Sequence, residues 1–169
     1  MATYLQGVTD YIPEFQPFQP DLNFYSNLLQ LKQTQYDNNW KAINKIYGQY
    51  FYSDLSRQDN MQIKDELMKN IDFNLKRISG LDLSLEQNVE QAAQVFKPFY
   101  EDKFLMKDMA YTKNYLNQRN RGLSLKNAKD ANEREQYWDT GIKALDYQRE
   151  EFRNVSREES LNIDSTTYT

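Results

Sequence analysis

The segment between Asp108 and Asp130 contains five basic residues and no acidic one. It is the part of this sequence best suited to binding an anion. The basic residues are Lys113, Arg119, Arg121, Lys126 and Lys129. Tyr111 and Tyr115 lie nearby, and cations interleaved with aromatic rings can contact a nucleic-acid backbone. The same cations are also expected at the solvated C-terminal end of a helix, where the helix dipole favours them. The segment therefore predicts either a nucleic-acid contact or an ordinary solvated helix end.

Carboxylates are the other chemically capable side chains, because converging acids can hold the metal ions of a nuclease. Neighbouring acids such as Glu86 and Glu90, or Glu133 and Glu135, are spread over polar faces with Lys or Arg nearby. The chain has no Cys and no His, which excludes thiolate chemistry, disulfides, Cys/His zinc sites and His-based acid–base catalysis. Its five glycines are widely separated and form no phosphate loop. We therefore predict no catalytic, metal or cofactor site.

The composition favours helices that complete their burial against partners. Hydrophobic residues make up 39% of the 169 residues, and the mean hydropathy is −0.92. Thirteen Tyr, nine Phe and two Trp nevertheless supply enough burial potential to argue against general disorder. No apolar stretch approaches the roughly 20 residues of a membrane span, and the N-terminus lacks the regions of a signal peptide. These features predict a cytosolic product without a membrane span.

Apolar periodicity predicts an all-α fold, with several long helices in an elongated, open bundle. The predicted helices cover residues 22–52, 57–79, 85–97, 99–117 and 124–155. Pro98 should break or kink the third helix, Gly122 should end the fourth region, and Ser124 should open the last helix. No sustained alternation of apolar and polar residues predicts a strand. Residues 157–169 are expected to form a polar tail or linker.

Residues 1–20 are predicted to form an extended arm ahead of these helices. The arm holds three of the four prolines, and proline biases both itself and the preceding residue toward extended geometry. Its alternating aromatic rings cannot bury themselves on an extended strip. We expect either a docking peptide for grooves on a partner or a leader that folds back on its own helices. The predicted anchors are Pro13, Phe15, Pro17, Phe18 and Pro20.

The two tryptophans are predicted to mark helix contacts. Trp40 lies in the aromatic helix 22–52, and Trp138 belongs to a stripe in the last helix that repeats every seven residues. The aromatic stripe of the helix 22–52 is expected either in a bundle core or in a seam with another chain.

Several segments resemble the start of large virion proteins of crAss-like gut bacteriophages. They are TYLQGVTDYIP at residues 3–13, FQP at 15–17, NFY at 23–25, LLQLKQ at 28–33 and VFKPFY at 95–100. The likeness extends over most of the chain. None of these segments is a chemical signature, so no functional residue is carried over from the family.

The resemblance implies a structural protein of a bacteriophage particle, made in the cytoplasm of the bacterial host. It implies packing in the tail or the portal-proximal interior, beside portal, ring, muzzle or tail proteins in a symmetric multi-copy assembly. Cargo proteins of such particles are thought to leave with the genome, and long helices without disulfides suit that passage. The resemblance also implies that the chain is either the ordered first part of a longer protein or a processed piece retained in the tail.

Two other functions remain open. One is an assembly scaffold or chaperone that is absent from the mature particle. The other is a nucleic-acid-binding protein that uses residues 113–129, for which salt-sensitive DNA binding would be expected. An enzyme is expected only if an active part lies beyond Thr169.

Overall fold

The computed structural model describes residues 36–164, without the side chains of residues 36–39 and of Glu86. Every regular element in this part of the chain is an α-helix, which confirms the predicted all-α fold. The helices are α1 (Tyr36–Phe51), α2 (Gln58–Ile78), α3 (Glu86–Tyr100), α4 (Lys103–Lys126), α5 (Ala131–Glu135), α6 (Asp139–Asn154) and α7 (Arg157–Ser160). The predicted arm and residues 22–35 of the predicted first helix lie outside the described residues.

The described residues divide into two compact units. Unit 1 comprises residues 36–53 and Gln62–Lys103, so it contains α1, most of α2 and α3. Unit 2 comprises Asp54–Met61 and residues 104–164, so it contains the first turn of α2 and nearly all of α4, together with α5, α6 and α7.

The core of unit 1 is apolar and rich in aromatic rings. The ring centroid of Tyr50 lies 4.2 Å from that of Phe99 and 6.2 Å from that of Phe96. Ile43 and Tyr50 are both buried, as their spacing of seven residues along α1 predicts. Burial of each such side chain contributes about 1.5–3 kcal/mol. Aromatic burial therefore holds the helices of unit 1 together.

Pro98 does not end α3, contrary to the predicted boundary after residue 97. The helix runs through Pro98 to Tyr100, and the backbone N–H of Glu101 still donates to the carbonyl of Lys97. Proline so close to a helix end removes a single backbone hydrogen bond. Phe96 and Phe99 are both fully buried, one turn apart. Their shared burial offsets that loss and keeps the last turn helical.

Helix α4 also differs from the prediction, because it continues through Gly122 to Lys126. A glycine inside a helix costs about 1 kcal/mol relative to alanine. Leu125 packs against the core of unit 2 and offsets that cost. Ser124 is no helix start, since its hydroxyl donates to the carbonyl of Arg121 within the same helix.

The predicted last helix, 124–155, is divided into shorter pieces. Asp130 opens α5 by accepting hydrogen bonds from the backbone N–H groups of Asn132 and Glu133. Helix α5 ends at Glu135, and α6 begins only at Asp139. This N-cap favours a new helix starting after Asp130 over one continuous helix through residue 130.

The core of unit 2 joins α4, α6 and the segment after α6. The rings of Tyr111 and Phe152 stack with centroids 4.0 Å apart, and Ile163 packs against the same cluster. Ser156 and Glu159 form a reciprocal capping box that opens α7. Residues 157–163, predicted to belong to a polar tail, are therefore part of the folded unit.

Candidate interaction surfaces

A fully buried carboxylate, Asp108 of α4, caps the N-terminus of α2 within unit 2. One of its oxygens accepts from the backbone N–H of Ser56 at 2.8 Å, and the other accepts from that of Arg57 at 3.1 Å. The first N–H groups of a helix have no partner inside the helix, and they favour a negative charge. Asp108 supplies both the acceptors and the charge from a residue about 50 positions away along the chain.

Two side chains complete the hydrogen bonding of Asp108. The Asn60 amide donates to it at 3.0 Å, and the Thr112 hydroxyl donates at 2.8 Å. The hydroxyls of Ser56 and Thr112 lie 2.7 Å apart and share a hydrogen bond. Each carboxylate oxygen thus accepts two hydrogen bonds, which is what a buried charge requires.

Arg57 is the buried cation of the same network and is only 3% exposed. Its Nε and Nη2 atoms donate to the two carboxylate oxygens of Asp59 at 3.1 and 2.8 Å. Its Nη1 atom donates to the carbonyls of Phe152 and Val155 at 2.7 and 2.8 Å. These carbonyls lie at the C-terminal end of α6, where a helix favours a cation. One guanidinium therefore ties the start of α2 to the end of α6.

Two further arginines extend the network. Arg149 donates from Nε to the Ser56 hydroxyl at 3.0 Å. Arg157 donates from Nε to the Asn60 side-chain oxygen at 3.0 Å, and its guanidinium lies 4.5 Å from the ring centroid of Phe104. Arginine suits these positions because the planar guanidinium can donate hydrogen bonds from its edge while its face stacks on an aromatic ring.

The charge state of Asp59 follows from the same contacts. Burial acts to raise the pKa of Asp59, but the hydrogen bond from the Arg57 side chain and that from the Asn60 backbone outweigh it and lower the pKa. Asp59 is therefore an anion at neutral pH.

The side chains of this network bond to one another and to helix ends within unit 2. The helix predicted over residues 57–79 starts close to α2, but the prediction did not include the role of Asp108. One signal was available: Asp108 and Thr112 stand one turn apart beside the buried Leu105 and Met109, where apolar residues are expected.

A groove of about 330 Å³ lies between α1 and α2 in unit 1. The rings of Tyr47 and Phe51 line it from α1, stacked with centroids 5.8 Å apart, and Met68 lines it from α2. Burial, reinforced by Asp72, raises the pKa of Tyr47 to about 12, so this ring remains neutral. The remaining lining residues are Lys64, Asp65, Lys69 and Asp72.

Large aromatic side chains are exposed on unit 1. Phe51 is 48% exposed, and its ring meets that of Tyr52 edge to face at 5.0 Å. Phe73 of α2 is 62% exposed, with the Arg77 guanidinium 5.9 Å from its ring centroid. Exposed aromatic rings are enriched at protein–protein interfaces.

The predicted interaction residues fall in different places. The arm anchors Pro13, Phe15, Pro17, Phe18 and Pro20 lie outside the described residues. Trp40 is partly buried in α1. Trp138 is 47% exposed directly before α6, where its ring lies against Gly141. Contacts of either tryptophan with another chain remain a prediction.

The predicted basic segment is partly occupied by contacts inside unit 2. Arg119 forms an ion pair with Asp146 at 3.0 Å. The Lys126 ammonium lies 5.4 Å from the ring centroid of Tyr137. Burial lowers the pKa of Lys113.

The remaining cations of the segment, Arg121 on α4 and Lys129 after it, are exposed. Positions 119 and 121 point about 200° apart around a helix. The five cations therefore do not form one basic face, although a nucleic-acid contact through the exposed pair stays a prediction.

A second groove, of about 360 Å³, lies in unit 2, and its lining includes Tyr111 and Ala110. Lys107 and Asp164 border it with their charged atoms 3.8 Å apart. The Asp164 side chain is fully exposed. An exposed pair of this kind contributes little binding energy.

Within residues 36–164, no group of three or more acidic side chains is placed to hold a metal ion. In the same part of the chain, no helix combines the length and apolar character that a membrane crossing requires. No protein-family model, curated protein or solved structure matches this chain.

Proposed function

We propose that this chain is a structural, non-enzymatic protein of a bacteriophage particle, packed in the tail or the portal-proximal interior. The observation that carries the proposal is the contrast between the two kinds of side chain just described. The buried charges Asp108 and Arg57 direct their hydrogen bonds to helix ends. Several large aromatic rings of unit 1, among them Phe51 and Phe73, are by contrast exposed. Polar groups that serve the fold and apolar groups that face outward are typical of an interaction protein.

The assignment to a bacteriophage particle rests on the resemblance of residues 3–13 and of VFKPFY at 95–100 to crAss-like virion proteins. The arm, residues 1–20, is then the segment that anchors the chain to neighbouring particle proteins. Release with the genome as cargo is the narrower form of the proposal and rests on the resemblance alone.

Lysine-directed cross-linking and mass spectrometry of purified mature particles tests this proposal. Lys69, at the groove of unit 1, should link to other particle proteins. Lys143, which forms an exposed ion pair with Asp139 on unit 2, is the matched control and should link mainly within its own chain. Links from Lys69 to portal, ring, muzzle or tail proteins would support a place in the tail interior.

The same measurement separates the proposal from an assembly factor. If no peptide of this chain occurs in mature particles while infected cells contain it in abundance, the structural role is wrong. The chain would then act as a scaffold or chaperone that leaves before the particle matures.

A further inference from the structure

We infer that the face of α2 that borders the groove of unit 1 binds the same face of a second copy of this chain. The two α2 helices pack antiparallel across a twofold axis near Met68. The inference goes beyond the proposed function, because it concerns an association of the chain with itself. In a particle, Lys69 should then cross-link to a second copy as well as to other particle proteins.

Two opposite charges on the rim of the groove do not pair with each other. Asp65 and Lys69 line the groove and are both exposed. Their spacing of four residues allows an ion pair on one helix, yet neither side chain forms an ion pair within residues 36–164. The neighbouring Asp72, by contrast, pairs with Lys76 at 2.6 Å. Asp65 and Lys69 are therefore available to a partner that carries the complementary charges.

The order of these charges makes the face complementary to itself. In an antiparallel pair of identical helices, a residue before the twofold axis meets the residue that lies equally far after it. With the axis at the level of residues 67 and 68, Asp65 of each copy lies opposite Lys69 of the other. Symmetry forms this pair twice. Met68 lines the same groove, and its flexible side chain packs near the axis.

An exposed aromatic ring beside the charges supplies apolar contact. An exposed ion pair contributes little by itself, so the charges mainly fix the orientation of the two copies. The ring of Phe51 lines the groove but is 48% exposed. Each copy contributes the same ring, so one interface covers two of them. Aromatic rings are enriched at the centres of protein–protein interfaces.

The spacing of charges favours a second copy over another segment of the same chain. An occupant that pairs with both Asp65 and Lys69 needs an acid and a base about 6 Å apart, the rise of four helical residues. Lys32 is the only basic residue of residues 1–35, and the nearest acid within them is Asp21, eleven positions away. The next acid along the chain, Asp37, belongs to α1 itself. Residues 165–169 carry no charged side chain. A second copy carries both charges at the required spacing.

Sedimentation equilibrium of the full-length chain tests the inference through charge reversal. Asp65→Lys places two cations opposite the two cations of an identical copy, and Lys69→Asp places two acids opposite two acids. Each variant alone should dimerise at least about tenfold more weakly than the wild-type chain. An equal mixture of the two variants should recover dimerisation, because every cation of one variant then faces an acid of the other. Binding within one chain could not be recovered by mixing.

Two variants outside the groove supply matched controls. Glu66→Lys makes the same change of charge as Asp65→Lys at the next residue, which is exposed but does not line the groove. We expect it to leave dimerisation unchanged. Phe51→Ala should weaken dimerisation at least about fivefold, whereas Phe73→Ala removes an exposed ring outside the groove lining and should have no effect. Circular dichroism of each variant verifies that the fold is retained.

Three outcomes would overturn the inference. A wild-type chain that stays monomeric at the highest concentration would exclude the interface. Unchanged dimerisation of the two charge variants, or an equal loss with Glu66→Lys, would show that another surface associates. A mixture that does not recover dimerisation would show that Asp65 and Lys69 do not face each other across two copies. None of these results bears on whether the chain occurs in mature particles, so the proposed function stands or falls separately.

Discussion

Unit 1 buries aromatic and aliphatic side chains, whereas unit 2 buries the charged Asp108 and Arg57 beside an apolar cluster of its own. In unit 1, the interior is formed by residues such as Leu75, Phe96 and Phe99, all fully buried. In unit 2, Asp108 and Arg57 lie beside an apolar cluster and bind the ends of helices. The helices of unit 1 are therefore held together by apolar burial, and those of unit 2 also by hydrogen bonds from buried charges.

The two kinds of interaction differ in how strictly they fix the geometry of the helices as well as in energy. Apolar burial stabilises roughly in proportion to area and tolerates many arrangements. A buried ion network stabilises only one arrangement, because any displacement leaves a charge without partners. We therefore expect the network of unit 2 to determine where α2 starts and α6 ends, and the core of unit 1 to supply stability.

The largest expected effect comes from the apolar side of the comparison. Phe96→Ala removes a fully buried ring of unit 1 and leaves a cavity, so it should lower the free energy of unfolding by about 4 kcal/mol. Urea denaturation followed by circular dichroism measures it. Phe73→Ala, the exposed control, should cost less than about 0.5 kcal/mol. A similar cost for both variants would contradict an apolar core in unit 1.

A slightly smaller effect is expected when the network of unit 2 is broken. Asp108→Asn keeps the size of the side chain but replaces an acceptor with an N–H₂ group that faces donors. The backbone N–H groups of Ser56 and Arg57 would lose a charged acceptor, so the free energy of unfolding should fall by about 3 kcal/mol. Glu150→Gln, which breaks an exposed pair with Arg153, should cost about 0.5 kcal/mol or less.

The outcome for Asp108→Asn decides whether the network matters at all. If urea denaturation gives the two variants equal midpoints, the network adds no stability. The contrast between the units would then be one of composition only.

Alkaline pH probes the two units through one tyrosine each. Burial raises the pKa of Tyr47 in unit 1 and of Tyr111 in unit 2 to about 12. An unfolded tyrosine has a pKa of about 10, so between pH ~10 and ~12 the unfolded chain has lost a proton that the folded chain retains. Below pH ~10 these tyrosines do not reduce the free energy of unfolding. As the pH rises from ~10 to ~12, each tyrosine lowers the free energy of unfolding by about 1.4 kcal/mol per pH unit.

Urea denaturation across this pH range measures the effect. Tyr47→Phe or Tyr111→Phe should each make the decline of stability with pH shallower. An unchanged slope for one variant would mean that its tyrosine is not protected in that unit.

The smallest expected effect concerns a close contact in unit 2. A Cβ at position 141 would lie 2.5 Å from the ring of Trp138, so Gly141→Ala must displace the indole. We expect a cost of about 1–2 kcal/mol and a shift in tryptophan fluorescence. Nothing lies within 4 Å of a Cβ at Gly80, so Gly80→Ala should be neutral or slightly stabilising. If the Gly141→Ala and Gly80→Ala variants had equal midpoints in thermal unfolding, the ring of Trp138 would be able to move aside without strain.

The fold class and several helices were accessible from the sequence. The predicted helix 57–79 agrees closely with α2, and the stripe of Ile43 and Tyr50 is buried as expected. Periodicity reports which residues share a face, and that information is local. Prediction therefore succeeded where a helix is long and has one apolar stripe.

Helix ends were predicted less well because they depend on competition between local signals and distant packing. Pro98 is a strong local signal, but the burial of Phe96 and Phe99 outweighs it. Ser124 has the residue type of a cap, but its hydroxyl bonds within α4. Neither outcome can be read from the neighbouring sequence alone.

By itself, the sequence determined an all-helical chain without Cys or His, with aromatic stripes and a Pro/Phe-rich leader. Only the tertiary structure decided which polar residues meet. Asp108 lies 52 positions from Ser56, and Arg57 lies 95 positions from Phe152. Helical periodicity extends over a few turns and carries no information about contacts at such separations. They depend on how whole helices pack, which no local pattern specifies.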